Sequence, residues 1–106
     1  MRWNASTQDV VDHLVFSGAD TYDWYRQLDV DGDDAITIGM DDPNDEDGAI
    51  FTTMSATAIR RLAEQFVKEE KPGYRVVARA IQDDDFDSDA ADVVLQWAVF
   101  GTLVYG

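Results

Sequence analysis

The chain has 106 residues, a length that fits one domain with one hydrophobic core. It carries 22 acidic residues against 8 basic ones, for a net charge of −14, while 45% of its residues are hydrophobic. That charge disfavours direct binding to nucleic acid or to anionic membranes and favours basic partners. The chain has no cysteine, which excludes disulfides, thiolate metal sites and cysteine nucleophiles.

The start of the chain and its longest apolar run bear on location. Residues Met1 to Asn4 lack the apolar segment of a signal peptide. The run from Val93 to Tyr105 is interrupted by polar residues and is too short to span a bilayer. We therefore expect a cytoplasmic protein with no membrane association.

The first half of the chain predicts a helix followed by a small sheet. Apolar residues at helical spacing, preceded by Ser6 or Thr7 as a cap, predict a helix over about 7–17. The stretch 22–28 fits either a short helical turn, capped by Asp20 or Thr21, or a strand, and we expect a short helix that gives way to a strand near Tyr25. Alternating apolar residues and turn residues such as Asp31-Gly32 predict an antiparallel meander with strands at about 25–30, 35–40 and 49–54.

The second half predicts three helices. Their apolar stripes and flanking cap residues indicate bounds of about 56–70, 74–82 and 89–104. The last helix is apolar nearly all round, so we expect it at the centre of the core. The predicted fold class is α+β: one domain over residues 1–106, with helices packed on one face of a three-stranded antiparallel sheet.

Charge is distributed unevenly along the chain. Residues 29–54 carry nine acids and no base, residues 55–82 have a net charge of +3, and residues 83–106 carry six aspartates and no base. Solvated, solubilising loops are one interpretation of the two acidic blocks, and a partner-binding surface is the other. The predicted partner-binding residues are Asp29, Asp31, Asp33, Asp34, Asp41, Asp42, Asp45, Glu46, Asp47, Asp83, Asp84, Asp85 and Asp87.

One segment resembles part of a calcium-binding loop. Asp29, Asp31 and Asp33 alternate as the first ligands of an EF-hand do. Asp34 stands where that loop needs glycine, and Met40 stands where it needs a bidentate glutamate. A true EF-hand is therefore disfavoured, and weak divalent-cation binding stays open as an alternative. We predict no metal site and no cofactor.

Catalytic motifs are not evident. Aspartates are so numerous that no spacing singles out an acid–base pair, and His13, the only histidine, lies near no nucleophile motif. We predict no catalytic residue and no enzyme. The bases of the middle segment could balance nearby acids or support self-association; they are Arg60, Arg61, Lys68, Lys71, Arg75 and Arg79.

Two segments carry a resemblance to a known group of proteins: Asp89–Gly106, which includes Gln96-Trp97-Ala98-Val99-Phe100-Gly101, and Gly18–Trp24. They resemble small acidic proteins encoded by actinobacterial phages, most of which have no assigned function. The resemblance implies a phage origin and a location in the host cytoplasm. It implies no catalytic residue.

Four functional hypotheses follow. The first is a DNA-mimic-like inhibitor that binds a basic, nucleic-acid-handling host protein through clustered aspartates. The second is a structural or regulatory phage protein that binds through apolar surface or as a homodimer, with Trp3, Trp24 or Tyr25 as exposed anchors. The third is a weak divalent-cation-binding protein. The fourth is acidity as an adaptation to high salt only.

Overall fold

The computed structural model describes residues 6–31, 35–69, 75–83 and 87–105. Within these ranges it contains a three-stranded sheet, four α-helices and one short 3₁₀ turn at Ala19–Thr21. The strands are β1 (Tyr25–Asp31), β2 (Ala35–Asp41) and β3 (Ala49–Ser55). The α-helices are α1 (Thr7–Val15), α2 (Ala56–Glu69), α3 (Arg75–Gln82) and α4 (Ser88–Phe100).

The sheet is the predicted antiparallel meander, with the strand order β1-β2-β3. Alternation along β2 directs Ile36, Ile38 and Met40 into the core, where all three are fully buried. The opposite face carries Thr37 and Thr53, whose hydroxyls lie 3.2 Å apart, together with the exposed Phe51. The sheet therefore has one face under the helices and one outer face.

The helices pack on the inner face of the sheet and begin where the sequence supplies caps. Ser6 accepts from the backbone N–H of Asp9, and Ser55 accepts from that of Ala58, which satisfies donors at the starts of α1 and α2. Leu14, Phe66 and Leu95 are among the largest fully buried side chains. They join the core residues of β2 in one hydrophobic cluster.

The last helix ends earlier than the sequence pattern predicts. The apolar run predicted helix to about 104, but α4 ends at Phe100. Gly101 follows with φ 71°, a left-handed conformation that favours glycine, and its N–H bonds to the carbonyl of Trp97. Residues 102–105 then turn back along the helix. The first helix likewise ends at Val15 instead of 17.

The short helix expected after a cap at Asp20 or Thr21 was wrong, because the helical turn here is the 3₁₀ turn at Ala19–Thr21, which ends before Tyr22. The α+β fold class, the strand positions and the packing of the helices on one face are confirmed. No helix in the described ranges is long and apolar enough to cross a membrane.

Candidate functional site

The longer acidic block of the sequence is divided along the sheet. Asp29 lies in the second half of β1, whereas Asp41 ends β2 and starts the loop to β3. Asp29 pairs with Thr37, four residues before Asp41, so the two positions are roughly 13 Å apart along the strands. Asp29 therefore lies apart from the acids of residues 41–47.

The loop between β2 and β3 holds its acidic side chains in turns. The backbone N–H of Asp42 bonds to the carbonyl of Gly48 and closes the loop. The Asp42 carboxylate accepts from the N–H of Asn44, and the Asp45 carboxylate accepts from the N–H of Asp47. These short turns fix the backbone beneath the carboxylates.

Three aromatic rings stack beside this loop. Tyr22 and Trp24 lie with ring centroids 4.7 Å apart and planes 5° apart, and Trp24 and Tyr105 lie 5.5 Å apart at 9°. The first two rings precede β1, and the third comes from the end of the described chain. The stack brings together segments that are about 80 residues apart in sequence.

The stack links the loop to the start of α4. At one side the Tyr22 hydroxyl donates to the Asp89 carboxylate, and this bond raises the pKa of Tyr22. At the other side the Tyr105 hydroxyl donates to the carbonyl of Asp41 at 2.6 Å. Burial, together with the charges of Asp41 and Asp42, raises the pKa of Tyr105.

Acids from three segments therefore lie at one end of the molecule. We call them the acidic end: Asp20, Asp23, Asp41, Asp42, Asp45, Glu46, Asp47, Asp87 and Asp89. Arg26 is the one base that an ion pair places here among the described residues, and its Nε lies 2.5 Å from the Asp41 carboxylate. Arg26 occupies a β-bulge in β1. Among the described residues, this ion pair neutralises only a small part of the negative charge of the acidic end.

A buried carboxylate supports the stack from below. Asp92 is 6% exposed and accepts from Trp24 Nε1 at 3.0 Å, Tyr25 hydroxyl at 2.7 Å and Gln96 Nε2 at 2.8 Å. Burial and the bond to Asp92 raise the pKa of Tyr25 well above its usual range. The network ties the start of β1 to α4.

The structure brings together only some of the predicted partner-binding residues. Asp41, Asp42, Asp45, Glu46, Asp47 and Asp87 belong to the acidic end. Asp29 does not belong to it. The backbone of Asp31 ends β1, and its side chain is outside the described part of the chain. Asp83 is exposed at the end of α3. Asp33, Asp34, Asp84 and Asp85 lie outside the described residues.

The aromatic stack and the buried pair of Asp92 and Gln96 were not predicted from the sequence. Asp92 and Gln96 interrupt an apolar helix at i, i+4 spacing, and that pattern was the available signal. Trp24 and Tyr25 were expected as exposed anchors, but both are half-buried and bonded to Asp92. Trp3 lies outside the described residues.

The positive segment forms a cleft at α2. The cleft has a volume of about 590 Å³ and lies against the start of α1. Glu64 pairs with both Arg60 and Lys68, and these bonds lower its pKa. Arg61 also lines the cleft, and its side chain is exposed. Arg75 and Arg79 are exposed on α3, and Lys71 lies outside the described residues.

The helix–loop–helix frame of an EF-hand is not present around Asp29, since the flanking segments are β1 and β2. Among the described residues no group of three or more histidines or carboxylates is arranged to hold a metal ion.

No family model, no curated protein and no solved structure matches this chain.

Proposed function

We propose that this protein is a small acidic interaction module that binds a basic, nucleic-acid-handling protein in the manner of a DNA mimic. The single observation that carries the proposal is the aromatic stack of Tyr22, Trp24 and Tyr105, which unites acids from three segments at one end. Net charge alone would support only solubility. Acids gathered on a braced surface also support recognition.

The acidic end has the charge and the rigidity that such recognition needs. Duplex DNA presents one negative charge per roughly 1.7 Å of axis, and a basic groove that binds it recognises dense, fixed negative charge. The turns at Asp42 and Asp45 and the helix cap at Asp87 restrict the backbone that carries these charges. This protein therefore loses less conformational freedom when it binds a partner through this surface.

The first experiment captures partners on the immobilised protein from a lysate of the host and elutes them with a salt gradient. We expect a basic nucleic-acid-binding protein to elute as salt screens the contact. The purified partner is then bound to labelled duplex DNA, and displacement by this protein is followed by fluorescence anisotropy.

Two triple variants separate a directed surface from bulk charge. The test variant D42N/D45N/D47N neutralises the loop, and the control D9N/D12N/D29N removes the same charge elsewhere. We expect the test variant to lose most of its displacement of DNA and the control to keep it. Equal loss in both variants would indicate bulk charge, and no loss in either would rule out an electrostatic mechanism.

A further inference from the structure

The two edges of the sheet differ in how they are protected. Exposed edge strands usually carry charges, proline or bulges that prevent pairing with another chain. β1 has such protection, with a bulge at Arg26 and the charge of Asp29. β3, at the other edge of the described sheet, contains seven residues with no charge and no proline. The β3 edge therefore lacks the features that usually prevent a strand of another chain from pairing with it.

We propose that β3 pairs antiparallel with β3 of a second copy of this chain, joining two sheets into one of six strands. A two-fold axis at Thr52 pairs all seven residues, with Ala49 opposite Ser55 and Phe51 opposite Thr53 of the second copy. Because the pairing is isologous, it closes at two copies. This inference rests on the β3 edge and not on the proposed function.

The exposed side chain of Phe51 is the first reason to expect a second copy of the chain at the β3 edge. Its side chain is 58% exposed on the outer face of the sheet, where its ring lies over Gly39. In the proposed register the two Phe51 side chains are diagonal neighbours on one face, with an expected separation of about 7–8 Å, within reach of aromatic rings. A second copy would thus cover an apolar side chain that the described residues of one copy leave in water.

Charge gives the second argument. β3 follows the acidic loop and leads into α2, whose early turns carry Arg60 and Arg61. Antiparallel pairing reverses this order in the second copy, so the end of the acidic loop, just before Ala49, comes next to the start of α2 of the other chain. This contact between the acidic loop and the start of α2 occurs twice by symmetry. The positive end of the α2 dipole strengthens the attraction. This local attraction opposes the repulsion between two acidic chains.

The first test measures mass by sedimentation velocity over a range of protein concentrations. We expect the full chain to approach twice the mass of one copy as concentration rises. Phe51→Lys puts a charge on the pairing edge and should weaken dimerisation by about tenfold or more. The matched control is Phe16→Lys, because Phe16 is 82% exposed at the end of α1, away from β3. It should dimerise as the unmodified chain does.

The second test uses a charge swap at two exposed positions, so it does not depend on how well the first variant folds. Asp47→Lys alone and Arg61→Asp alone should each weaken the dimer several-fold, and the double variant D47K/R61D should recover it. A chain that is monomeric at its highest soluble concentration would overturn the proposal. So would a dimer that is unaffected by F51K, or one in which the double variant is no tighter than either single variant.

Discussion

Gln96 donates from Nε2 to the Oδ2 atom of Asp92 at 2.8 Å, one turn earlier on α4, and both side chains are buried. The same nitrogen donates to the carbonyl of Tyr105, and Oε1 of Gln96 accepts the N–H groups of Val104 and Tyr105. Every hydrogen-bonding site of this amide is therefore used. The pair fixes the segment after α4 against the helix and places Tyr105 on the aromatic stack.

Replacement of Gln96 by leucine should destabilise the protein strongly. The variant leaves two backbone N–H groups and one carbonyl of the final segment without their partner, and it removes one donor to Asp92. Each unsatisfied buried group costs about 1–3 kcal/mol. Because Val104 and Tyr105 are partly exposed, water can reach their backbone groups, and we expect a total loss of only about 2–4 kcal/mol. Urea unfolding measures it. Gln65→Leu, at an exposed position of α2, is the control and should change stability little.

The same substitution should release the end of the chain. Without the amide, Tyr105 has no anchor at its backbone, and its stacking on Trp24 should weaken. Tryptophan fluorescence would report the altered ring contact under conditions in which the fold persists. A Gln96→Leu protein with native stability and unchanged fluorescence would show that the amide does not hold this segment.

The strands and the end of α4 differ in how clearly the local sequence marks them. Strand positions were predicted well because the alternation in Ile36, Ile38 and Met40 is local, and a two-residue period has one structural meaning. The end of α4 was missed because apolar residues continue past Gly101, so composition gave no signal there. The glycine itself, free to adopt positive φ, was the better indicator.

The acidic end was only partly predictable for a related reason. The loop from Asp41 to Asp47 is contiguous, so the sequence already grouped its carboxylates. The addition of Asp87 and Asp89 depends on rings that meet across the fold, and no spacing in the sequence encodes that contact. Asp29 was grouped with the loop because it is near in sequence, although it pairs with Thr37, four residues of strand away from Asp41.

Tyr25 should make stability depend on alkaline pH. Burial and the bond to Asp92 raise its pKa in the folded state above the value of about 10 expected in the unfolded chain. The unfolded state therefore loses its proton first. The stabilisation is complete below pH about 10 and is lost as pH rises beyond it, by at most about 1.4 kcal/mol per pH unit from this one group.

Urea unfolding at several pH values between neutral and alkaline tests this dependence. Tyr25→Phe should flatten the alkaline decline while lowering stability at neutral pH, because the bond to Asp92 is lost. Tyr22→Phe is the comparison, since Tyr22 bonds to Asp89 near the surface and should leave most of the decline in place. If Tyr25→Phe kept the full slope, the alkaline loss would have another origin.

The cost of replacing Gly39 by alanine should depend on the side chain at position 51. A Cβ added at Gly39 would lie 2.5 Å from Cε1 and 2.7 Å from Cδ1 of Phe51, so the ring must move. We expect Gly39→Ala to cost about 1 kcal/mol by displacing that packing. In a Phe51→Ser background the clash with the ring is gone and only a 3.3 Å contact with Gln27 Cβ remains, so the same change should cost much less. Thermal unfolding of the four proteins gives the coupling, and additive effects would contradict it.

Substitutions at Asp87 should separate the role of its carboxylate in folding from the role of its charge in binding. Its side chain accepts from the backbone N–H of Ala90 at 2.8 Å and caps α4. Asparagine keeps the acceptor oxygen, so Asp87→Asn should leave stability within a few tenths of a kcal/mol, whereas Asp87→Ala should cost about 1 kcal/mol. Urea unfolding at neutral pH measures both.

The two Asp87 variants also test the proposed function. If Asp87→Asn unfolds like the unmodified chain yet weakens partner binding, the charge of Asp87 acts in recognition and not in folding. The same reasoning applies to Asp42 and Asp45, whose carboxylates also accept backbone N–H groups that asparagine can satisfy. Equal destabilisation by Asp87→Asn and Asp87→Ala would show that the helix dipole requires the full charge at this position. The asparagine variants would then no longer isolate charge from structure.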